Sequence, residues 1–170
     1  MDRKLLNKEF LNASEKGNLQ KIKKLLENGA NVNARNKWGD TALMRSALKG
    51  HKEVVEILIE NGANINAKNG LMDTTMMYAA ANGHVEIVQL LIDKGADVNA
   101  KNYWQYTAIA LAALNKHEKV VKLLADSMEA GRRDDLAIFL RGRTNIEVTV
   151  KRLRERIRRI EKADKTKERI

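Results

Sequence analysis

The sequence predicts an all-α repeat array, and three observations carry that reading. The first is a strict period. Gly29-Ala30, Gly62-Ala63 and Gly95-Ala96 recur every 33 residues, and Asn33-Ala34, Asn66-Ala67 and Asn99-Ala100 keep the same step. So do Thr41, Thr74 and Thr107, and so do Gly17, Gly50 and Gly83, with Lys116 in the fourth place. Self-similarity at a period of about 20–50 residues marks solenoids and arrays. The second observation is helical spacing inside each unit. The third is composition. Apolar residues make up 44% of the chain, enough for a packed core, and Pro and Cys are both absent. The lack of Cys removes disulfides, thiolate metal sites and a Cys nucleophile.

The first unit, residues 1–34, places Phe10, Leu11 and Ala13 on one helix and Ile22, Leu25 and Leu26 on a second. Its first helix is rich in Lys, Glu and Asn, as a terminal cap facing water requires. The units 35–67, 68–100 and 101–126 share one plan. A short apolar helix runs over 42–48, 75–81 and 108–114. Thr41, Thr74 and Thr107 stand where a hydroxyl caps the free N–H groups of that helix. A second helix then carries an apolar stripe: Val54, Val55, Leu58 and Ile59, then Ile87, Val88, Leu91 and Ile92, then Val120, Val121, Leu123 and Leu124. Such a stripe buries one helix face. The stripes of the first three units end at a Gly able to adopt the left-handed conformation, and the polar Asn- and Gly-rich stretch that follows, as in residues 61–69, suits turns.

The second unit reads Asn36-Lys37-Trp38-Gly39-Asp40-Thr41-Ala42-Leu43, then Gly50-His51-Lys52-Glu53-Val54-Val55, and closes on Leu58-Ile59-Glu60-Asn61-Gly62-Ala63-Asn64-Ile65-Asn66-Ala67. This resembles the ankyrin repeat family over about residues 5–126. The resemblance implies an ankyrin-repeat solenoid: stacked helix–turn–helix layers with projecting β-turn fingers and a concave binding groove. The sequence departs from the family at its T-P-L-H tetrapeptide. That stretch reads Thr41-Ala42-Leu43-Met44, Thr74-Thr75-Met76-Met77 and Thr107-Ala108-Ile109-Ala110. The missing Pro would preset the first helical φ, and the missing His would tie layers together. The expectation is lower stability per repeat in an unchanged fold. Met72 and Gln105 stand where the first finger has Gly39, so altered turns are expected in the later fingers.

Residues 127–170 differ in composition. Residues 1–126 hold 15 Lys and 3 Arg, a net +4; residues 127–170 hold 4 Lys and 10 Arg, a net +6. The expected reading of 127–161 is a divergent helical cap, with a helix over 134–141 and an apolar stripe of Ile146, Val150, Leu153, Ile157 and Ile160, followed by a charged tail at 162–170. The alternative is a homo-oligomeric scaffold with that stripe as its seam. The stripe spans fewer than the three or four heptads that support a coiled coil. A second alternative is nucleic-acid binding by the Arg-rich helix, weakened by the interleaved Glu147 and Glu155.

No P-loop, G-x-G-x-x-G, H-E-x-x-H or G-x-S-x-G motif occurs, so no enzyme and no cofactor is expected. His51, His84 and His117 are one repeat apart. Successive layers lie about 8–10 Å apart, too far for ligands that each reach about 2 Å to one zinc. No metal site is expected, and each ring should bond locally at the start of its helix. The aromatics point to recognition. Five of the seven, Trp38, Tyr78, Tyr103, Trp104 and Tyr106, fall on the fingers or first helices of the three fuller units. An apolar ring on a finger has no core to fill, and Trp, Tyr and Arg are enriched at binding hot spots. Trp38, Arg45, Leu71, Tyr78, Tyr103, Trp104 and Tyr106 are therefore the expected contacts, against the alternative that Trp38 and Trp104 pack on neighbouring fingers. Arg35, Lys37, Lys49, Lys68 and Lys101 share that face with Asp40 and Asp73. The expected partner is a protein whose bound segment is acidic with one or two apolar anchors. Neither a Sec-type leader nor an apolar run of membrane length is present, so a cytoplasmic location is expected; a secreted bacterial effector with a non-cleaved signal would read the same way.

Overall fold

A computed structural model describes residues 3–127 of the chain. The stretch 127–161 expected as cap helices, the alternative oligomer seam at 146–160 and the tail at 162–170 lie outside the described residues, save Ser127. Eight helices follow in order: α1 Arg3–Glu15, α2 Leu19–Glu27, α3 Ala42–Lys49, α4 Lys52–Glu60, α5 Thr75–Ala81, α6 Val85–Asp93, α7 Ala108–Leu114 and α8 Glu118–Ser127. Each consecutive pair packs as one layer. The layers stack as two rows, with α1, α3, α5 and α7 in one and α2, α4, α6 and α8 in the other.

The sequence pattern explains both rows. After α1, the first helices α3, α5 and α7 are short and rich in small residues, and Ala42, Ala47, Ala79, Ala80 and Ala112 are fully buried. Small side chains let successive layers approach closely. Leu43, Met44, Met76 and Met77 fill the remaining space. The second helices bury Val54, Val55 and Leu58, then Ile87, Val88 and Leu91, then Val120 and Leu124. Burying one such side chain contributes about 1.5–3 kcal/mol. Ile59, Ile92, Val121 and Leu123 sit at the margins of these stripes and are half-buried.

Local chemistry closes the helices. The Thr41, Thr74 and Thr107 hydroxyls accept from the Met44, Met77 and Ala110 N–H groups at 3.3, 3.4 and 3.4 Å. Met44 adds the reciprocal contact, its sulfur lying 3.5 Å from the Thr41 nitrogen. Among the described residues, burial leaves one side-chain polar group stranded: the Thr75 hydroxyl has no hydrogen-bond partner. It stands where the family places proline.

The histidines correct the sequence expectation. They do not bond locally. None of the rings of His51 and His84 caps its own helix. Instead the Nε2 atoms of His51, His84 and His117 donate to the Glu15, Leu48 and Ala81 carbonyls of the preceding layer, at 3.0, 3.2 and 3.1 Å. A carbonyl only accepts, so Nε2 carries the proton. Each ring lies over a glycine of that layer. A Cβ on Gly17, Gly50 or Gly83 would come within 2.6–2.8 Å of the ring. The interlayer tie expected from the absent His of the tetrapeptide is thus supplied by another His, 36 residues beyond the carbonyl it reaches.

Candidate protein-binding face

The three fingers are built by one asparagine each. Asn36 Oδ1 accepts from the Trp38 and Asp40 N–H groups, both at 2.9 Å. Asn69 holds Leu71 and Asp73 at 2.9 Å, and Asn102 holds Trp104 and Tyr106 at 3.1 and 3.0 Å. The same turn bond, from Gly39, Met72 or Gln105 to the asparagine carbonyl, closes every finger at 2.9–3.0 Å. The expectation of altered later turns is therefore corrected. Met72 and Gln105 adopt φ of 63° and 64°, the left-handed region that Gly39 occupies at 83°. The asparagine clamp imposes the turn on whichever residue stands there. The left-handed backbone costs a non-Gly residue about 1–2 kcal/mol, and the clamp supports it.

Neighbouring fingers are tied side by side. Gly70 donates to the Trp38 carbonyl at 3.0 Å and Tyr103 to the Leu71 carbonyl at 2.9 Å. Asn69 Nδ2 donates to Asp40 at 2.8 Å, and Asn102 Nδ2 to Asp73 at 2.8 Å. Arg35 donates across to the Lys68 carbonyl at 2.7 Å. These asparagines fall 33 residues apart in the sequence, so the period displayed them, but their role was missed because the clamp is visible only once the turn exists.

The floor beneath the fingers is a polar network centred on buried Asp40. Its carboxylate accepts from Asn36, Asn69 and Tyr78 at 3.3, 2.8 and 3.1 Å. Arg45 lies 3.7 Å from it and donates to Glu15 at 2.5 Å. Burial, reinforced by the Asp40 charge, pushes the Tyr78 hydroxyl far above its ordinary range. The Arg45 bond holds the Glu15 carboxyl below the usual carboxylate range. Burial pushes Asp73 upward, against the opposing bond from Asn102.

The expected contact residues therefore occupy two environments. Arg45 and Tyr78 are half-buried and engaged within this network. Trp38, Leu71 and Tyr103 project, at 58%, 46% and 72% exposure. The Lys37 ammonium sits 4.5 Å over the Trp38 ring. Trp104 and Tyr106 are half-buried. Trp104 meets Tyr103 edge-on at 5.9 Å, a favourable aromatic geometry. One exposed finger residue was not anticipated: Met72 is 44% exposed on the second finger.

The sequence also matches the family model for ankyrin repeats, in three copies, over residues 10–102 and 70–135. The chain belongs to the ankyrin repeat family. A search of curated proteins found no match. Ankyrin repeats are in general protein–protein interaction modules. Among the described residues of this ankyrin solenoid, no group of His, Asp and Glu is placed to hold a metal ion, and no helix is long and apolar enough to cross a membrane.

Proposed function

We propose that this protein is a non-catalytic recognition module that binds another protein along its fingers and first helices, through a partner segment that is acidic and bears apolar anchors. One observation carries the reading. Four of the five exposed large apolar side chains among the described residues, Trp38, Leu71, Met72 and Tyr103, lie on fingers. An aligned apolar set on an otherwise polar surface supports an interaction site. Trp38 remains more than half exposed beside Lys37, so packing within the finger does not use up its surface. Trp104, Tyr106, Arg45 and Tyr78 form the supporting wall and floor in this reading.

The experiment is affinity capture with the full chain, comparing wild type with Trp38→Ala plus Tyr103→Ala. The expected outcome is loss of the captured partner while circular dichroism stays native. Hot-spot truncations of this kind each weaken binding by about 2 kcal/mol or more. Undiminished capture by the folded double variant would remove the fingers from the interface.

A further inference from the structure

The first layer differs from the rest in one respect. Among the described residues it has no finger in front of it, so α1 and the first finger face each other across an open groove of about 810 Å3. That volume lies within the range of about 300–1,000 Å3 typical of ligand sites. One wall is a stripe along α1 that includes Lys4, Lys8 and Glu15; the other includes Arg35, Lys37 and Trp38 of the finger. With Arg45, five cationic side chains line the groove against the single acid, Glu15. That acid is bound to Arg45, and the pair is partly exposed, with side-chain exposures of 33% and 23%. Partly exposed ion pairs are weak and exchangeable.

We propose that the partner's acidic stretch lies in this groove and that one of its carboxylates takes the place of Glu15 at Arg45. The inference rests on the recognition reading above and adds a register to it. Among the first helices, charge is confined to the first two. α1 carries Arg3, Lys4, Lys8, Glu9 and Glu15, α3 carries Arg45 and Lys49, and the sequences of α5 and α7 contain no charged residue. The finger tips change in parallel: Lys37 in the first gives way to Gly70 and then Tyr103. An acidic stretch at the α1 end therefore sets the apolar anchors against Leu71 and Tyr103. Arg35, Lys68 and Lys101 supply one cation per finger, but the other cations gather at the α1 end, whereas a nucleic acid carries a phosphate at every step and calls for a continuous basic track. The chain's own residues 127–170 carry a net +6, the wrong sign for a basic groove. Glu15 is then a placeholder that competes with weakly acidic ligands and yields to strongly acidic ones.

The test uses the full chain with Trp104→Phe, which leaves Trp38 as the sole tryptophan and a reporter in the groove wall. The probe is a synthetic peptide with a run of glutamates, a Gly-Ser spacer and a Leu-Phe-Leu cluster, made in both chain directions. Titration should change the Trp38 emission. Replacing the glutamates by glutamines should weaken binding about tenfold or more, roughly 1.4 kcal/mol per tenfold. Lys4→Glu with Lys8→Glu should do the same. Glu15→Gln, which removes the competing charge, should tighten binding about threefold. Lys8 is exposed, so its reversal keeps the test decisive if Glu15→Gln perturbs α1. The inference is overturned if the glutamine peptide binds equally well, if Glu15→Gln leaves affinity unchanged or weaker, or if a random single-stranded oligonucleotide displaces the peptide with the same lysine dependence. Loss of native-partner capture in the Trp38/Tyr103 variant, with none in the lysine variant, keeps the finger reading and removes this one. If neither variant affects capture, both are removed.

Discussion

The first and third fingers have nearly the same backbone and quite different side chains. The first uses Asn36, Gly39 and Asp40; the third uses Asn102, Gln105 and Tyr106. Both close with the same turn bond, the same two contacts to asparagine and the same left-handed fourth residue. The difference teaches that glycine is not what makes this turn. The asparagine makes it, and glycine only removes a strain that the clamp otherwise overcomes. The second lesson lies at the fifth residue. Asp40 and Asp73 each accept from the asparagine of the next finger. Tyr106 has no carboxylate, and so the lateral ladder stops with the third finger.

The largest effect that breaks this comparison is expected at Asn69, which clamps its own finger and bridges to Asp40 and Tyr78. Asn69→Ala should cost about 2–4 kcal/mol, because it strands the buried Asp40 and Tyr78 groups as well. Asn36→Ala removes a less buried clamp and should cost about half as much. Urea unfolding monitored by circular dichroism measures both, and equal losses would show that the lateral bridge contributes little.

Next comes the turn residue. Gly39→Ala should destabilise by about 1–2 kcal/mol, since its new Cβ would also approach the Gly70 nitrogen to 3.0 Å. Met72→Gly should do the reverse and stabilise by somewhat less, as glycine also loses more chain entropy. A Met72→Gly variant that unfolds more easily would mean that the exposed Met side chain is itself holding the finger.

A smaller gain is expected at Thr75→Pro. The preceding Thr74 lies at φ −106° and ψ 166°, the extended region that a residue before proline favours. The change also deletes the stranded hydroxyl. A stabilisation of about 0.4–1 kcal/mol should appear as a rise in Tm.

The subtlest prediction concerns pH. Glu15, with a lowered folded pKa, stabilises above its unfolded pKa, and that contribution fades as pH falls through the folded value. Asp73 has the opposite sign. Its raised folded pKa makes the charged form a cost at neutral pH, relieved on acidification. Carboxyl-carbon NMR should place Glu15 below and Asp73 above the usual ranges. Asp73 titrating normally would mean that the Asn102 bond outweighs its burial.

These contrasts explain what the sequence made legible. Thr caps and apolar stripes are decided within a few residues of chain, so the helices followed from spacing alone. The Asn–Asp bridges between fingers and the His–carbonyl ties couple positions 29 to 36 residues apart. They exist only when layers stack, and the period signals them without stating what they do. The candidate site divides in the same way. Trp38 and Tyr103 are readable as projecting because a finger offers no interior. Arg45 and Tyr78 share the residue types of contacts, yet Glu15 and Asp40 engage them from other layers. The groove above α1 was concealed by the polar composition of that helix, which suits a cap as well as a basic wall.

The histidine rings seated over Gly17, Gly50 and Gly83 also set a rule for lengthening the array. Each layer accepts a successor only where it presents a bare backbone to the incoming ring. At the fourth such place stands Lys116, with φ of 62°. Its backbone matches the glycines, but its Cβ fills the seat. A repeat grafted behind α8 with a histidine of its own would need Lys116→Gly to interlock. One side chain thus separates a layer that can be copied onward from one that cannot.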